Sequence, residues 1–290
     1  MKFAPHFSVA NTFGAIPYEL AGYEKSKAVI LPVPYDGTTS YRPGARDGPR
    51  AIITASKQLE LYDEELRKNF SEIGICTLDE LEVVNSPELM NKRVYESAKQ
   101  IIGDGKALIT LGGEHSISSG AVKAQKEKHK SLSVLHIDAH ADLRDVNGES
   151  KYDHACAARR MYEICPIVQV GIRSLCDEEA EFIEKEGIPV FWAEEMKDES
   201  WMDRAINKLS DTVYLSLDLD GLDPSVMPSV GTPQPGGIAW YDLLKFLRKL
   251  AEKKKVVGFD IVELAPQPGN IAPDFLAAKL TYRLIGYFFA

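Results

Sequence analysis

Residues 132–142 read LSVLHIDAHAD: an apolar run, Leu132–Ile137, that ends in Asp138, Ala139, His140, Ala141 and Asp142. On an extended backbone, positions i, i+2 and i+4 point the same way, so Asp138, His140 and Asp142 converge where this strand ends. Like charges held that close are costly without a cation, and carboxylate plus imidazole is a usual ligand mix for Mn, Fe, Co or Zn. The stretch therefore predicts a strand that delivers metal ligands from its carboxyl end.

Working outward, the same device recurs. Asp218-Leu219-Asp220 follows the run TVYLSL with two carboxylates in i, i+2 register, and His115 follows ALITLGGE. Three strand ends thus supply six candidate ligands: His115, Asp138, His140, Asp142, Asp218 and Asp220. Six are too many for one tetrahedral zinc site, which takes three or four protein groups. Two metals sharing bridging carboxylates use them naturally, and a water between ions about 3.5–4 Å apart has its pKa lowered from ~15.7 towards roughly 7. Each residue also has a plainer explanation. His115 suits a cap or packing position, Asp220 or Asp223 a turn residue bonding its own backbone, and Asp138 and Asp142 solvated loop charges. Those explanations must all hold independently, whereas one metal site accounts for the repeated Asp and His at strand ends.

Around these motifs, short β-rich runs alternate with amphipathic stretches, the pattern of strand and helix units winding a mainly parallel sheet. The predicted strands are Ala28–Val33, Ile73–Leu78, Ala107–Leu111, Leu132–Ile137, Ile167–Ile172, Pro189–Trp192, Thr212–Leu217 and Val256–Val262. Helical spacing of apolar positions marks Glu88–Ile102, Glu178–Glu186, Trp201–Leu209 and Tyr241–Lys253. We therefore expect an α/β fold, one three-layer α/β/α domain over residues 1–290 with about eight strands in one sheet. Two Gly/Pro-dense loops, Pro34–Pro49 and Gly221–Gly237, directly follow predicted strands. That places them at the carboxyl edge of the sheet, where open α/β folds bind ligands.

The net charge of -9 argues against a nucleic-acid surface, which needs clustered Lys and Arg, and is compatible with a cationic substrate. Cys76, Cys156, Cys165 and Cys176 form no C-x-x-C pair, and a chain of 290 residues needs no disulfide staples, so a reducing compartment is expected. The opening stretch MKFAPHFSVANTFGA lacks the apolar core of a leader, and no segment reaches the ~18 uninterrupted apolar residues of a membrane span. Cytoplasm is the expected location.

The chain resembles the ureohydrolases: arginases, agmatinases, guanidino-acid hydrolases and formimidoylglutamases. The resemblance rests on Gly112–Ser116 (GGEHS), Asp138–Arg144 (DAHADLR) and Ser216–Pro224 (SLDLDGLDP). YRPGARDGP, GTPQPGG and DIVELAP extend it over nearly the whole chain. It implies an arginase-like fold and two Mn²⁺ ions, with Co²⁺ or Fe²⁺ possible. His115, Asp138, Asp142 and Asp218 would hold one ion, and Asp138, His140, Asp218 and Asp220 the other. The resemblance further implies that Glu263 receives the guanidinium group, that His154 shuttles protons, and that the chain is a homo-oligomer, trimer or hexamer. Asp142 would orient the nucleophile and take its proton. Cys156, two residues beyond His154, has no base placed beside it by sequence and is not expected to act as a nucleophile.

The DLR form after Asp142, where arginases resemble D-x-N, together with YRPGAR and the PGG ending, is similar to bacterial agmatinases. Agmatine hydrolysis to putrescine and urea, a step of polyamine biosynthesis, is therefore the expected reaction, with guanidinobutyrate or another guanidino acid as the alternative. Asp47 stands where the family more often carries Phe. Two rivals remain: a one-metal deacetylase of related architecture, and a non-catalytic guanidino-compound sensor.

Overall fold

The computed structural model describes residues 12–290; the start of the chain, on which the leader reading rests, lies outside the described residues. In chain order its strands are β1 (Ala28–Val33), β2 (Tyr62–Asp63), β3 (Lys68–Asn69), β4 (Ile75–Thr77), β5 (Ala107–Gly112), β6 (Leu132–Ile137), β7 (Ile167–Ile172), β8 (Val190–Trp192), β9 (Thr212–Asp218) and β10 (Lys255–Val262). The helices are α1 (Tyr18–Ala21), α2 (Gly48–Ser56), α3 (Pro87–Gly103), α4 (Ser118–Lys128), α5 (Ala157–Tyr162), α6 (Asp177–Glu186), α7 (Ser200–Lys208), α8 (Trp240–Lys253) and α9 (Ala272–Phe289).

Eight strands form one sheet in the order β4-β1-β5-β10-β9-β6-β7-β8, and every pairing in it is parallel. All eight predicted strands are in it. A parallel sheet needs helical crossovers, which cover both faces, and that is why β1, β6 and β7 are buried along their whole length. One core packs Ile30, Leu135, Ile137, Leu215 and Phe259 against α2, α7, α8 and α9. The other packs Val29, Leu31, Val134 and Tyr214 against α3 and α4. Alternate residues of the same strands feed the two cores, so the architecture is the expected three-layer α/β/α sandwich.

Local sequence explains where elements begin and end. The Ser86 hydroxyl accepts from Leu89 N at 3.3 Å and Pro87 opens α3, satisfying one N–H and removing another at the first turn. On α8, Leu243, Leu244, Leu247 and Leu250 repeat at three- and four-residue spacing and are buried. Burial of each such leucine contributes about 1.5–3 kcal/mol. Strand β4 is shorter than the Ile73–Leu78 expected from sequence because Gly74, at φ 76°, breaks the extended run.

The antiparallel β2–β3 pair was not legible as a strand pattern. It is pinned from α9: Arg283 Nε donates to the buried Asp63 carboxylate at 2.9 Å, and the Tyr282 hydroxyl accepts from Phe70 N at 2.9 Å. No helix of the described residues is long and apolar enough to cross a membrane.

The topology leaves a gap that later chain fills. After β5 the chain jumps to β6, and only β9 and β10 close the space between them. The four central strands β5, β10, β9 and β6 therefore end side by side, although their carboxyl ends are far apart in sequence. Such a crossover point is where open α/β sheets place their ligands.

Candidate metal centre

His115 follows β5, Asp138, His140 and Asp142 follow β6, Asp218 ends β9 with Asp220 just beyond it, and Glu263 follows β10. The structure brings the six predicted ligands together at these adjacent strand ends. His115 Nδ1 lies 3.0 Å from Asp138 Oδ2, 3.3 Å from Asp218 Oδ2 and 3.4 Å from Asp142 Oδ2. His140 Nδ1 lies 2.9 Å from Asp220 Oδ2 and 3.6 Å from Asp138 Oδ1. Asp138 thus faces both imidazoles.

Three of the carboxylates share one device. Asp138 Oδ1 accepts from His140 N at 2.6 Å, Asp218 Oδ1 from Asp220 N at 2.8 Å, and Asp220 Oδ1 from Ala139 N at 3.0 Å. In each case one oxygen is fixed by a backbone amide while the other, Oδ2, turns to the cluster. Alternation along the strand brings the side chains together; an i→i+2 turn fixes the rotation of Asp138 and Asp218, and a bond from Ala139 on the neighbouring strand end fixes that of Asp220.

Burial sets the electrostatics. It raises the Asp142 and Asp218 carboxyls well above the carboxylate range, with neighbouring Asp138, and for Asp218 also Asp220, adding to the effect. Asp138 is burdened by the same burial, but His136, His115 and His140 outweigh it and hold the group well below its usual value. Burial likewise opposes the charging of His140, yet Asp220 and Asp138 push it up to about 12. Acids pushed apart in this way by shared burial mark a site built for added positive charge. The donor set fits that need: His115 Nδ1 and Asp138 Oδ2 are fully buried and lack a hydrogen-bond partner. Among the described residues, two ligand-competent groups are present, His115/His136/Asp138/Asp142 and Asp138/His140/Asp220, with Asp138 common to both. That sharing suits a pair of divalent cations better than one.

Glu263 is buried beside the cluster. Its Oε1 accepts from His115 N at 2.7 Å, and its own N–H donates to Gly113 O at 2.7 Å. Burial, then the neighbouring Asp218, raise its pKa well above the ordinary value. Glu263 and Asp142 both adopt left-handed backbone, φ 67° and 51°, a conformation costly for side chains with a Cβ and concentrated at functional sites.

The cluster opens into one cavity whose walls include Asp142, Asp218, Asp220, Glu263 and His154. Both loops flagged in the sequence line it, the first through Thr39, Ser40, Tyr41 and Arg42, the second through Gly231 and Thr232. Each loop is closed on itself by an aspartate near its own start. Asp36 accepts from Gly44 N at 2.9 Å, and Asp223 accepts from Gly236 N and Gly237 N at 2.9 and 3.1 Å. Asp223 is therefore the turn residue of its plainer explanation; the Ser225 hydroxyl and backbone N–H groups bring its carboxyl down to about 2. His154 stands on the cavity wall with Nδ1 3.1 Å from Asp153 Oδ1 and 3.3 Å from Thr38 Oγ1, and Nε2 3.4 Å from Ser40 Oγ. Burial pushes the Cys156 thiol up to about 12, which leaves it inert as a nucleophile.

Several supporting residues escaped the sequence reading. His115 Nε2 meets Ser216 Oγ at 2.9 Å, and that hydroxyl donates to the buried Asp260 at 2.8 Å. Arg173 reaches Asp220 O at 2.7 Å and Gln234 O at 2.9 Å, clamping the second loop to the cluster. Glu114 accepts from Thr38 Oγ1 and Ser116 Oγ, both at 2.6 Å. A charged or amide side chain inside an apolar strand, as at Asp260 in GFDIV, is the signal that could have found some of them.

Gly113 shows how tightly the site is assembled. A Cβ there would lie 1.9 Å from Tyr35 O, because Gly113 N and Glu114 N bond Val33 O and Tyr35 O across the β1–β5 ends. Gly113→Ala should cost about 3 kcal/mol through forced separation of these segments. Chemical denaturation measures it, and an unchanged midpoint would show that the loop yields freely.

Comparison with known proteins agrees with this geometry. The Arginase family model matches residues 26–286. The N(1)-aminopropylagmatine ureohydrolase of Synechocystis sp. is 42% identical over 278 residues, covering 92% of this chain and 91% of that protein. The agmatinase of Pyrococcus horikoshii is 36% identical over 261 residues, 89% and 90% of the two chains. The crystal structure of agmatine ureohydrolase of Thermoplasma volcanium superimposes with a TM-score of 0.86 at 34% identity, covering 97% of this chain and 93% of the other. With its all-parallel sheet and its His/Asp cluster at three strand ends, the chain belongs to the arginase family and is a metal-dependent hydrolase of guanidino compounds.

Proposed function

We propose that this protein releases urea from the guanidinium end of an agmatine-type amine, with N(1)-aminopropylagmatine as its first substrate and agmatine as its second. The observation that carries the chemistry is the buried Glu263 carboxylate sharing one cavity with the His/Asp cluster. The substrate order follows the relatives: those at 42%, 40% and 40% identity are N(1)-aminopropylagmatine ureohydrolases, whereas agmatinases enter at 36%. Agmatine would give putrescine and urea; the aminopropyl derivative would give spermidine and urea.

In this proposal His115, Asp138, Asp142 and Asp218 would hold one Mn²⁺, and Asp138, His140, Asp218 and Asp220 the other, with Co²⁺ or Fe²⁺ as substitutes. When bound, the two cations supply the positive charge that makes hydroxide available near neutral pH. The Glu263 carboxylate receives the planar N–H donors of the guanidinium and aims its carbon at the cluster. Asp142, held by its left-handed backbone over the cavity, orients the attacking oxygen and takes its proton. Asp153 and Thr38 engage Nδ1 of His154, which leaves Nε2, on the cavity side near Ser40, to hand a proton to the departing amine.

His154→Ala should lower kcat by roughly 10²–10⁴-fold, the usual worth of a general acid, while metal content stays near that of the parent protein. Equal loss of both would make the residue structural. The pH profile offers a second check. Burial opposes the charging of His154, but the Asp153 hydrogen bond and the charge of Glu263 outweigh it and raise its pKa. Asp153→Asn should therefore lower that pKa. Because His154 must hold a proton to deliver it, the alkaline limb of kcat should move to lower pH, and an unmoved limb would remove His154 from the proton path.

A second reading is a guanidino acid such as guanidinobutyrate, favoured by Arg42 and Arg144 in the cavity wall, which could pair with a substrate carboxylate. Urea release from N(1)-aminopropylagmatine, agmatine, guanidinobutyrate and arginine, measured side by side with Mn²⁺-loaded protein, decides between them. Preference for the acid would replace the substrate and keep the chemistry. No urea from any would favour a non-catalytic sensor.

A further inference from the structure

A third imidazole faces the floor of the cluster, and the ligand set above makes no use of it. His136 lies inside β6, fully buried, its ring stacked on that of His115 with centroids 5.0 Å apart. An imidazole in the middle of an otherwise apolar strand is costly to bury unless both nitrogens are engaged.

The engagement of Nδ1 is fixed from β7. Gln169 places its amide nitrogen 2.7 Å from Ala141 O and 3.0 Å from His136 Nδ1. A carbonyl oxygen can only accept, so Ala141 fixes which end of the Gln169 amide is nitrogen, and the second hydrogen of that nitrogen goes to Nδ1. Nδ1 is thereby the acceptor, and the proton of the neutral ring resides on Nε2. Nε2 stands 3.0 Å from Asp138 Oδ2, the same oxygen that stands 3.0 Å from His115 Nδ1. The separation is within hydrogen-bond range, although the two atoms do not complete a hydrogen bond as they stand.

We propose that His136, locked in one tautomer by Gln169, is a positioning residue that holds Asp138 Oδ2 so that this carboxylate serves both cations at once. The other oxygen, Oδ1, is already committed to His140 N at 2.6 Å. A donor behind Oδ2 therefore fixes the remaining freedom of the carboxylate plane. Direct coordination by His136 is disfavoured by the same geometry, because a protonated Nε2 has no lone pair to offer. Partners of this kind orient metal ligands and typically change metal affinity by roughly 10–100-fold when removed.

The inference rests on the metal centre and is independent of which guanidino compound is consumed, so its test uses no urea assay. Mn²⁺-loaded parent protein, His136→Phe and His136→Gln are challenged with graded chelator, and retained Mn²⁺ is read by atomic emission, with far-UV spectra as fold controls. His136→Phe, which keeps ring volume but lacks the donor, should release both ions together at roughly 10–100-fold lower chelator. His136→Gln, whose amide can donate, should recover much of the loss. Retention like the parent's in His136→Phe would overturn the proposal, as would loss of one ion with the other unchanged, the mark of a ligand to a single cation. Should His136→Phe fail to fold, ¹⁵N-histidine NMR of Zn²⁺-loaded parent protein reads the tautomer directly. A protonated Nε2 with bare Nδ1 is expected, and the opposite tautomer would refute the arrangement.

Discussion

Asp138→Asn is expected to abolish the metal centre and lower turnover by about 10³-fold or more, equivalent to about 4 kcal/mol of barrier. The effect is large because this side chain is shared. Its Oδ2 faces His115 at 3.0 Å and its Oδ1 faces His140 at 3.6 Å, so one carboxylate stands against both imidazoles. The amide keeps the volume and can keep the bond from His140 N through its oxygen, but it replaces an anionic oxygen by an N–H₂ group that cannot ligate. Losing one charge from a fully buried acid cluster also removes the attraction that offsets desolvation of the incoming cations. Metal stoichiometry by atomic emission, measured beside kcat, checks the expectation. Two ions per chain in the variant would contradict the bridging role, whatever the activity.

Glu263→Gln should behave in the opposite way, keeping both metals while kcat/KM falls by roughly 10²–10³-fold, as expected when a buried charge-assisted pair loses its charge at a cost of about 3–4 kcal/mol. Its Oε1 accepts from His115 N, a bond that glutamine retains. The variant therefore loses the negative charge offered to the guanidinium without releasing the loop that carries His115. Unchanged kcat/KM would remove Glu263 from substrate binding, and loss of metal would move it into the ligand set.

Much of this was legible in the chain because strand periodicity and ligand chemistry coincide. An apolar run ending in Asp138, Ala139, His140 marks both a buried strand and its carboxyl end, and the alternation of short apolar runs with amphipathic stretches placed all eight strands of the sheet. What the sequence concealed has physical reasons. The β2–β3 pair is two residues long and depends on Arg283, more than 200 positions away, so no local pattern announces it. His136 sits in register with the apolar face of β6 and is distinguished only by Gln169 on the neighbouring strand. Ser216 and Asp260 read as interruptions of apolar strands until their bond at 2.8 Å is seen. Pairing across strands is non-local information, and periodicity carries none of it.

The late arrival of β9 and β10 between β5 and β6 sets a timetable for the newborn chain. His115 and the Asp138–Asp142 stretch emerge from synthesis first, but they flank an open slot until residues 212–262 have been made and threaded into the middle of the sheet. Closing long-range parallel pairings of this kind is slow, because loop entropy is lost before contacts form. The complete ligand cluster therefore comes into being at the last step of sheet assembly. Ion capture then acts as a latch on the completed fold, and it draws its stabilisation from the strands that arrive last.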